Sequence, residues 1–137
     1  MAAPLVKRVV AYDPWNVSTS AVELVSFDEL LVSSDFITLH CPLTDDSREM
    51  FHVATFRKMK PTAWLINASR GPLVNETDLL EALRSSAIAG AALDVFCTEP
   101  LPAEHPLLAL PNVVATPHVA CIRNGRIICS RKIPRVR

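Results

Sequence analysis

Residues 59–100, MKPTAWLINASRGPLVNETDLLEALRSSAIAGAALDVFCTEP, decide the fold because they contain a strand pattern, a helix pattern and a second strand pattern. TAWLINAS (62–69) and AGAALDVF (89–96) are short apolar runs of the kind found in strands that are covered on both faces. Between them, Asn75 can cap a helix through ETDLLEALRSS (76–86), whose leucines recur on one face. This order predicts a βαβ unit with parallel strands.

The same alternation continues on both sides of this unit. RVVAYD (8–13) and DFITLH (35–40) are predicted strands, and NVVATPH (112–118) is a further strand after a proline-rich crossover. Between the first two, Ser26 and Glu29 have the spacing of a helix-capping box. We therefore expect an α/β fold built on a parallel sheet.

Bulk composition indicates an ordinary globular protein. Half of the 137 residues are apolar and 20% are charged, and no apolar run approaches the roughly 18 residues that span a bilayer. The N-terminus lacks the pattern of a secretory signal, and the four cysteines have no C-x-x-C spacing. We expect a cytoplasmic chain with reduced thiols, no metal site and no membrane partner.

The net charge of zero hides an uneven distribution. Residues 1–120 contain all 14 acidic residues and 8 of the 14 basic ones, so residues 121–137 are purely basic. Such a tail could bind nucleic acid or anionic lipid, but no aromatic or groove-reading motif accompanies it. We predict a disordered tail and no nucleic-acid partner.

Polar residues collect at the carboxyl ends of the predicted strands. Asp13, His40, Ser69, Asp94 and His118 all stand at such ends. In open parallel sheets, ligands bind beyond the carboxyl ends of the strands. The pattern predicts a ligand site along one edge of the sheet.

Asp13 and Arg70 allow both a structural and a functional interpretation. Asp13 could accept hydrogen bonds from both ribose hydroxyls of NAD and would repel the 2′-phosphate of NADP, or it could be a turn aspartate before Pro14. Arg70 could clamp a planar carboxylate with its paired donors, or it could be a surface arginine.

Glu99 and His118 are 19 residues apart and follow successive predicted strands. If those strands are neighbours, the carboxylate can fix the imidazole's tautomer and stabilise its charged form. A histidine held in this way suits proton exchange with a substrate oxygen. Without further context, a lone glutamate and a lone histidine are more often unrelated.

Several strings together resemble the D-isomer-specific 2-hydroxyacid dehydrogenases. They are VVAYDP, ITLHCPLT, MKPTAWLINASRGPLVNE, LLEALRSSAIAGAALDVFCTEP and HPLLALPNVVATPHVA, which cover about residues 7–120. The SRG, DVF-x-x-EP and TPH blocks make the resemblance specific. It implies a Rossmann-type domain, with helices on both faces of a parallel sheet, that binds NAD. Glu99 argues against the similar formate-oxidising branch, which carries glutamine there.

The resemblance also implies roles for individual residues. Arg70 would hold and polarise a 2-keto acid, His118 would exchange a proton with the substrate oxygen, and Glu99 would pair with His118. Asp94 would bind the nicotinamide carboxamide and Asp13 the ribose. The implied cofactor contacts are Asp13, Cys41, Pro42, Ala68, Ser69, Arg70, Asp94 and His118.

The sequence departs from the family pattern at both ends. The dinucleotide fingerprint G-x-G-x-x-G is absent, since the three glycines are Gly71, Gly90 and Gly125. We therefore expect residues 1–120 to form a partial dinucleotide-binding domain without its first strand and helix. The strands RVVAYD and TAWLIN would then expose the two edges beside the missing strand.

The predicted function is that of the NAD-binding domain of an oxidoreductase that reduces 2-keto acids with NADH. Weak binding of NAD and marginal stability are expected of this chain alone. The expected partners are a small 2-keto or 2-hydroxy acid and a second copy in a homodimer. The alternatives are a non-catalytic NAD(H)-sensing or dimerisation module and a non-functional fragment.

Overall fold

A computed structural model describes residues 7–15 and 22–119, so the basic segment 121–137 lies outside the described residues. The strands within them are β1 (Val10–Ala11), β2 (Glu23–Leu24), β3 (Phe36–Leu39), β4 (Trp64–Asn67), β5 (Gly90–Leu93) and β6 (Val113–Ala115). The helices are α1 (Phe27–Ser33), α2 (Val53–Phe56) and α3 (Glu76–Arg84), with 3₁₀ turns at Gly71–Leu73 and Pro106–Ala109.

The strands form two parallel sheets. One pairs β1 with β2, and the other has the order β3-β4-β5-β6. In the larger sheet, Leu39, Asn67 and Leu93 lie level on neighbouring strands, and Ala115 continues the row. The parallel sheets and their helices confirm the predicted Rossmann-type α/β fold.

Two predicted caps account for where the longer helices begin. The Ser26 side chain accepts a hydrogen bond from the Glu29 amide at the start of α1, and the Asn75 side chain accepts one from the Asp78 amide at the start of α3. Each bond satisfies a backbone donor that the first helical turn leaves without a partner.

One prediction about the strand edges is wrong. TAWLIN was expected to border the missing strand, but β4 is paired on both sides, with β3 and with β5. Among residues 7–15 and 22–119, the strand that borders the larger sheet on this side is β3 (Phe36–Leu39). The physical reason is that β2 consists of only Glu23–Leu24, which is too short to show the period-2 pattern of a strand. Without β2, the strand order inferred from the sequence is displaced by one position.

A single apolar core fills the space between the larger sheet and the three helices. Side chains of alternating strand residues enter it, and α1, α2 and α3 contribute buried residues to it. The sheet contributes Ile37, Leu39, Leu65, Ala91 and Leu93, and the helices contribute Leu31, Phe56, Leu79, Ala82 and Leu83. Phe36 and Val114, which point to the other face of the sheet, are 63% and 55% exposed.

Candidate active site

The ends of β3 to β6 lie level, so the residues that follow them meet along one edge of the sheet. Asp94 follows β5, and its amide bonds the Asn67 carbonyl at the end of β4. The amide of Thr116, after β6, bonds the Leu93 carbonyl in the same way. These bonds bring the strand-end loops together on the side where ligands bind in open parallel sheets.

Glu99 and His118 are in direct contact at this edge. His118 Nδ1 lies 2.9 Å from Glu99 Oε2, and the side chains are 42% and 39% exposed. The amide of Phe96 donates to the other oxygen, Glu99 Oε1, at 3.1 Å. The hydrogen bond with His118, helped by the Phe96 amide, lowers the pKa of Glu99, so the carboxylate is ionised at neutral pH.

The contact also fixes which nitrogen of His118 can do chemistry. With Nδ1 turned to the ionised carboxylate, this nitrogen carries a proton and donates a hydrogen bond to Glu99 Oε2. The opposite nitrogen, Nε2, is left to exchange a proton with a ligand at the strand ends.

The backbone of His118 is held in a conformation that few residues adopt. Its φ is 53°, in the left-handed region, where histidine occurs more readily than bulkier or branched residues. Its amide donates to the Asp94 carbonyl at 2.9 Å. The surrounding turn therefore imposes the conformation on His118.

Asp94 organises that turn with its side chain. It is only 6% exposed, and its Oδ1 accepts hydrogen bonds from the Val119 amide at 2.9 Å and from the Thr116 hydroxyl. The two donors stand on either side of Pro117 and His118, so they hold the turn that carries His118. In this structure Asp94 shapes the active-site backbone, and its contact with a nicotinamide carboxamide stays a prediction.

Asn67, at the end of β4, shapes the loop that carries Arg70. Its side chain is 1% exposed, with Oδ1 accepting the Ser69 amide at 3.1 Å and Nδ2 donating to the Arg70 carbonyl at 2.9 Å. No role of Asn67 is predicted from the sequence, although a polar side chain that ends an apolar strand before a glycine turn is a usable signal.

Arg70 is exposed, and its guanidinium lies along its own loop. Nη1 donates to the Ser69 carbonyl at 2.6 Å. Ser69 in turn donates from its hydroxyl to the Cys41 carbonyl at 2.9 Å, which ties this loop to the end of β3. The loop is thus anchored while the guanidinium stays accessible, and its contact with a substrate stays a prediction.

The other predicted cofactor-lining positions occupy the same region. Cys41 is partly buried, its Sγ lies 3.8 Å from Met50 Sδ, and burial raises the pKa of its thiol. The Pro42 carbonyl accepts the Ser47 hydroxyl at 2.8 Å, and Ala68 is exposed directly after β4. These contacts make the Cys41–Pro42 segment a fixed wall beside the Ser69 loop.

Asp13 lies at the end of β1, in the smaller sheet. Its Oδ1 accepts the Trp15 amide at 2.9 Å, so it does form the turn that was one of its two predicted roles. Asp13 also lines an open depression of about 470 Å³, together with Tyr12, Pro14, Leu24, Val25, Ser26 and Glu29. Both interpretations of Asp13 are therefore compatible with the structure.

The family model described as "D-isomer specific 2-hydroxyacid dehydrogenase, NAD binding domain" matches residues 1–120. The chain belongs to this family of D-isomer specific 2-hydroxyacid dehydrogenases. This agrees with the resemblance in sequence and with the Rossmann-type fold, and it identifies the described part as belonging to the family's NAD-binding domain.

Curated members of the D-isomer specific 2-hydroxyacid dehydrogenases resemble the chain at 40–54% identity. The glyoxylate reductase of Thermofilum pendens is 45% identical over 118 residues, which cover 82% of this chain and 35% of that protein. The glyoxylate/hydroxypyruvate reductase B of Citrobacter koseri is 54% identical over 92 residues, covering 67% of this chain and 28% of that protein. The chain thus spans about a third of the length of these relatives.

Solved structures of the family have the same fold. The apo NADPH-dependent glyoxylate/hydroxypyruvate reductase from Sinorhizobium meliloti is 37% identical with a TM-score of 0.79, over 83% of this chain and 48% of that one. The NAD-complexed D-isomer specific 2-hydroxyacid dehydrogenase from Lactobacillus delbrueckii ssp. bulgaricus is 34% identical with a TM-score of 0.71, over 82% of this chain and 38% of that one.

Within residues 7–15 and 22–119, no helix is long and apolar enough to cross a membrane.

Proposed function

We propose that this chain carries the proton-transfer and substrate-carboxylate groups of an NADH-dependent dehydrogenase that reduces small 2-keto acids. The observation that carries the proposal is the 2.9 Å contact between His118 Nδ1 and Glu99 Oε2 at the carboxyl ends of parallel strands. The carboxylate engages Nδ1 and leaves Nε2 available, which is the arrangement that a general acid requires.

Each of the three groups has a distinct task in this reaction. The Arg70 guanidinium would turn from the Ser69 carbonyl to bind the substrate carboxylate through paired N–H groups. His118 would donate a proton from Nε2 to the substrate's 2-oxo oxygen, and Glu99 would stabilise the ring while it is charged. The bound dinucleotide supplies the hydride that goes to substrate C2.

The residues present suit the ribose and nicotinamide ends of NAD. Asp13 lines an open depression in which its carboxylate could accept ribose hydroxyls, and a negative charge there disfavours a 2′-phosphate. The solved relatives include one named NADPH-dependent and one in complex with NAD. Our proposal is that this chain prefers NADH.

NMR titration of the ¹⁵N-labelled chain with NADH and NADPH would test the cofactor part. We expect NADH to shift amide signals around Asp13 and at the strand-end loops, NADPH to act more weakly, and Asp13→Asn to reduce the difference between them. Glu81→Gln is the matched control because Glu81 is an exposed acid on α3. A chain whose strand-end amides do not respond to millimolar NADH would contradict the proposal.

Turnover is tested by following the oxidation of NADH with glyoxylate, hydroxypyruvate and pyruvate. His118→Gln should abolish any turnover, and Glu99→Gln should reduce it while shifting its pH profile. Arg70→Lys should raise KM because it keeps the charge but loses the paired donors. Turnover that survives His118→Gln would overturn the assignment of the proton donor.

A homodimer and a cytoplasmic location complete the proposal. Among the described residues, Cys41 and Cys97 are free thiols, as expected in a reducing compartment. Sedimentation of the purified chain with and without NADH tests the dimer. A change of size with NADH but no reaction on any of the three keto acids would instead support a sensing module.

A further inference from the structure

A second glutamate–histidine pair lies next to the first. Glu76 Oε2 is 3.4 Å from His105 Nε2, and the side chains are only 19% and 20% exposed. The other oxygen, Glu76 Oε1, accepts the backbone amide of Cys97 at 2.7 Å. Glu76 thus joins the first turn of α3 to the loop that follows β5.

That loop connects the two pairs through adjacent amides. Cys97 donates to Glu76, and the preceding amide, Phe96, donates to Glu99 Oε1 at 3.1 Å. Because the two amides belong to adjacent peptide groups joined at the Phe96 Cα, holding the Cys97 amide restricts the direction of the Phe96 amide. The Phe96 amide is one of the two donors that hold the Glu99 carboxylate.

We infer that Glu76, supported by His105, is a positioning residue for the Glu99–His118 pair and acts through the backbone of Phe96 and Cys97. The functional meaning of this inference rests on the proposed function, since it is there that Glu99 and His118 are assigned to proton transfer. The contacts themselves can be tested without substrate or cofactor.

His105 contacts both the Glu76 carboxylate and the Phe96 ring. Its Nδ1 accepts the Leu107 amide at 3.4 Å, which leaves the proton on Nε2, the nitrogen that faces Glu76. Its ring also meets the Phe96 ring edge-on, with centroids 6.1 Å apart. One imidazole therefore braces the carboxylate and the aromatic side chain that flank the loop.

A simpler role for Glu76 would be to stabilise α3, since an acidic residue in the first turn interacts favourably with the helix dipole. The helix-charge role needs the negative charge of Glu76, whereas the positioning role needs only an oxygen that accepts the Cys97 amide. Glu76→Gln removes the charge but keeps a carbonyl oxygen that can accept the Cys97 amide. Glu76→Ala removes both, and Glu81→Ala removes one exposed charge from the same helix as a control.

The test combines amide hydrogen exchange with a carboxylate titration on the full labelled chain. Exchange is measured at Phe96 and Cys97, and the side-chain carboxyl carbon of Glu99 is followed against pH. Glu99 faces His118 and, at longer range, Asp94, and the Phe96 amide bond helps to lower its pKa. Glu76→Ala should speed exchange at both amides about tenfold, the effect of losing one hydrogen bond, and should move the Glu99 titration upward.

Glu76→Gln should stay close to the wild type in both measurements, and Glu81→Ala should change neither. Faster exchange at Cys97 alone, with Phe96 and the Glu99 titration unchanged, would overturn the inference. Equal effects of Glu76→Ala and Glu76→Gln would also overturn the inference, because they would assign the effect to the charge of Glu76 at the start of the helix.

If Glu76→Ala does not fold, His105→Gln provides the second variant, and an unchanged Phe96 exchange rate in that variant counts against the inference. A chain that shows these effects without NADH turnover would refute the proposed function and leave the positioning role standing.

Discussion

At the scale of single residues, the candidate site contains two carboxylates that each accept two hydrogen bonds. Glu99 is shared between His118 and the Phe96 amide, and Asp94 holds the turn that sets the backbone of His118. The charged side chains are therefore placed by backbone amides, whose positions are fixed by the sheet. This arrangement explains how an exposed pair such as Glu99 and His118 can keep a defined geometry.

The lowered pKa of Glu99 makes a small part of the stability depend on pH. Because the folded-state pKa lies below the unfolded one, the contribution is fully present above the unfolded value of about 4.3 and is lost as the pH falls through the folded value. The pair is exposed, so we expect less than about 1 kcal/mol. The free energy of unfolding of wild type and Glu99→Gln should differ most at about pH 6 and converge towards about pH 3.

Urea denaturation at several pH values provides the measurement, with Glu81→Gln as the control for the loss of one exposed acid. A difference between wild type and Glu99→Gln that grows as the pH falls would mean that the sign of the linkage is wrong.

The two described cysteines should respond differently to a change at Glu76. Burial and the nearby Glu76 carboxylate raise the pKa of Cys97 to about 11, whereas burial alone raises that of Cys41. Glu76→Gln removes the negative charge that opposes the Cys97 thiolate, so alkylation of Cys97 should become faster while that of Cys41 stays unchanged.

Iodoacetamide labelling at about pH 8.5, near the ordinary cysteine pKa, followed by peptide mapping, separates these cysteines from the others in the chain. Equal acceleration at Cys41 and Cys97 would indicate general loosening of the fold and contradict the electrostatic explanation.

At the scale of elements, the 3₁₀ turn after Arg70 packs tightly against the loop that follows β5. A Cβ atom added at Gly71 would lie 2.1 Å from the carbonyl carbon and oxygen of Phe96. A Cβ at Gly90 would instead meet the outer ring atoms of Trp64 at 2.6–2.7 Å. Backbone cannot yield without moving the loop that carries Glu99, whereas an indole ring can shift.

We therefore expect Gly71→Ala to destabilise the chain by about 1–3 kcal/mol or more, and Gly90→Ala to cost less. Neither glycine has a φ in the left-handed region, so the comparison measures packing. Urea denaturation of both variants gives the order, and a larger loss for Gly90→Ala would show that the Phe96 backbone moves more easily than the Trp64 ring.

The longer elements could be predicted from the sequence because their signals are local. Ser26 and Asn75 cap α1 and α3 as expected, and four apolar runs become β3 to β6. The two-residue strand β2 carries no such signal, since its pairing with Val10–Ala11 depends on tertiary contacts. For the same reason, the role of Glu76 became visible only once its distant backbone partner, the Cys97 amide, was placed.

At the scale of the whole described molecule, the small sheet and the large sheet are connected through α1. An aromatic series runs from Tyr12 after β1, through Phe27 on α1, to Phe51 and Phe56 in the main core, with ring centroids 5.2, 5.9 and 6.2 Å apart. The ion pairs Lys58–Asp28 and Lys60–Asp35 are largely exposed and contribute little. The aromatic contacts therefore couple the Asp13 region to the main core.

Phe27→Ala should weaken this coupling more than it weakens the large sheet. Phe27 is only partly buried, so we expect about 1–3 kcal/mol, less than for a fully buried phenylalanine. The amide of Val25, which bonds the Ala11 carbonyl at 2.9 Å, should exchange much faster with solvent. The exchange rates of the amides in β4 and β5 should change only slightly. Phe27→Leu keeps most of the apolar volume, so its exchange rate at Val25 should fall between those of the wild type and Phe27→Ala. Uniform acceleration across both sheets would show that β1 and β2 unfold together with the main core, and that the Asp13 depression is as stable as the Glu99–His118 edge.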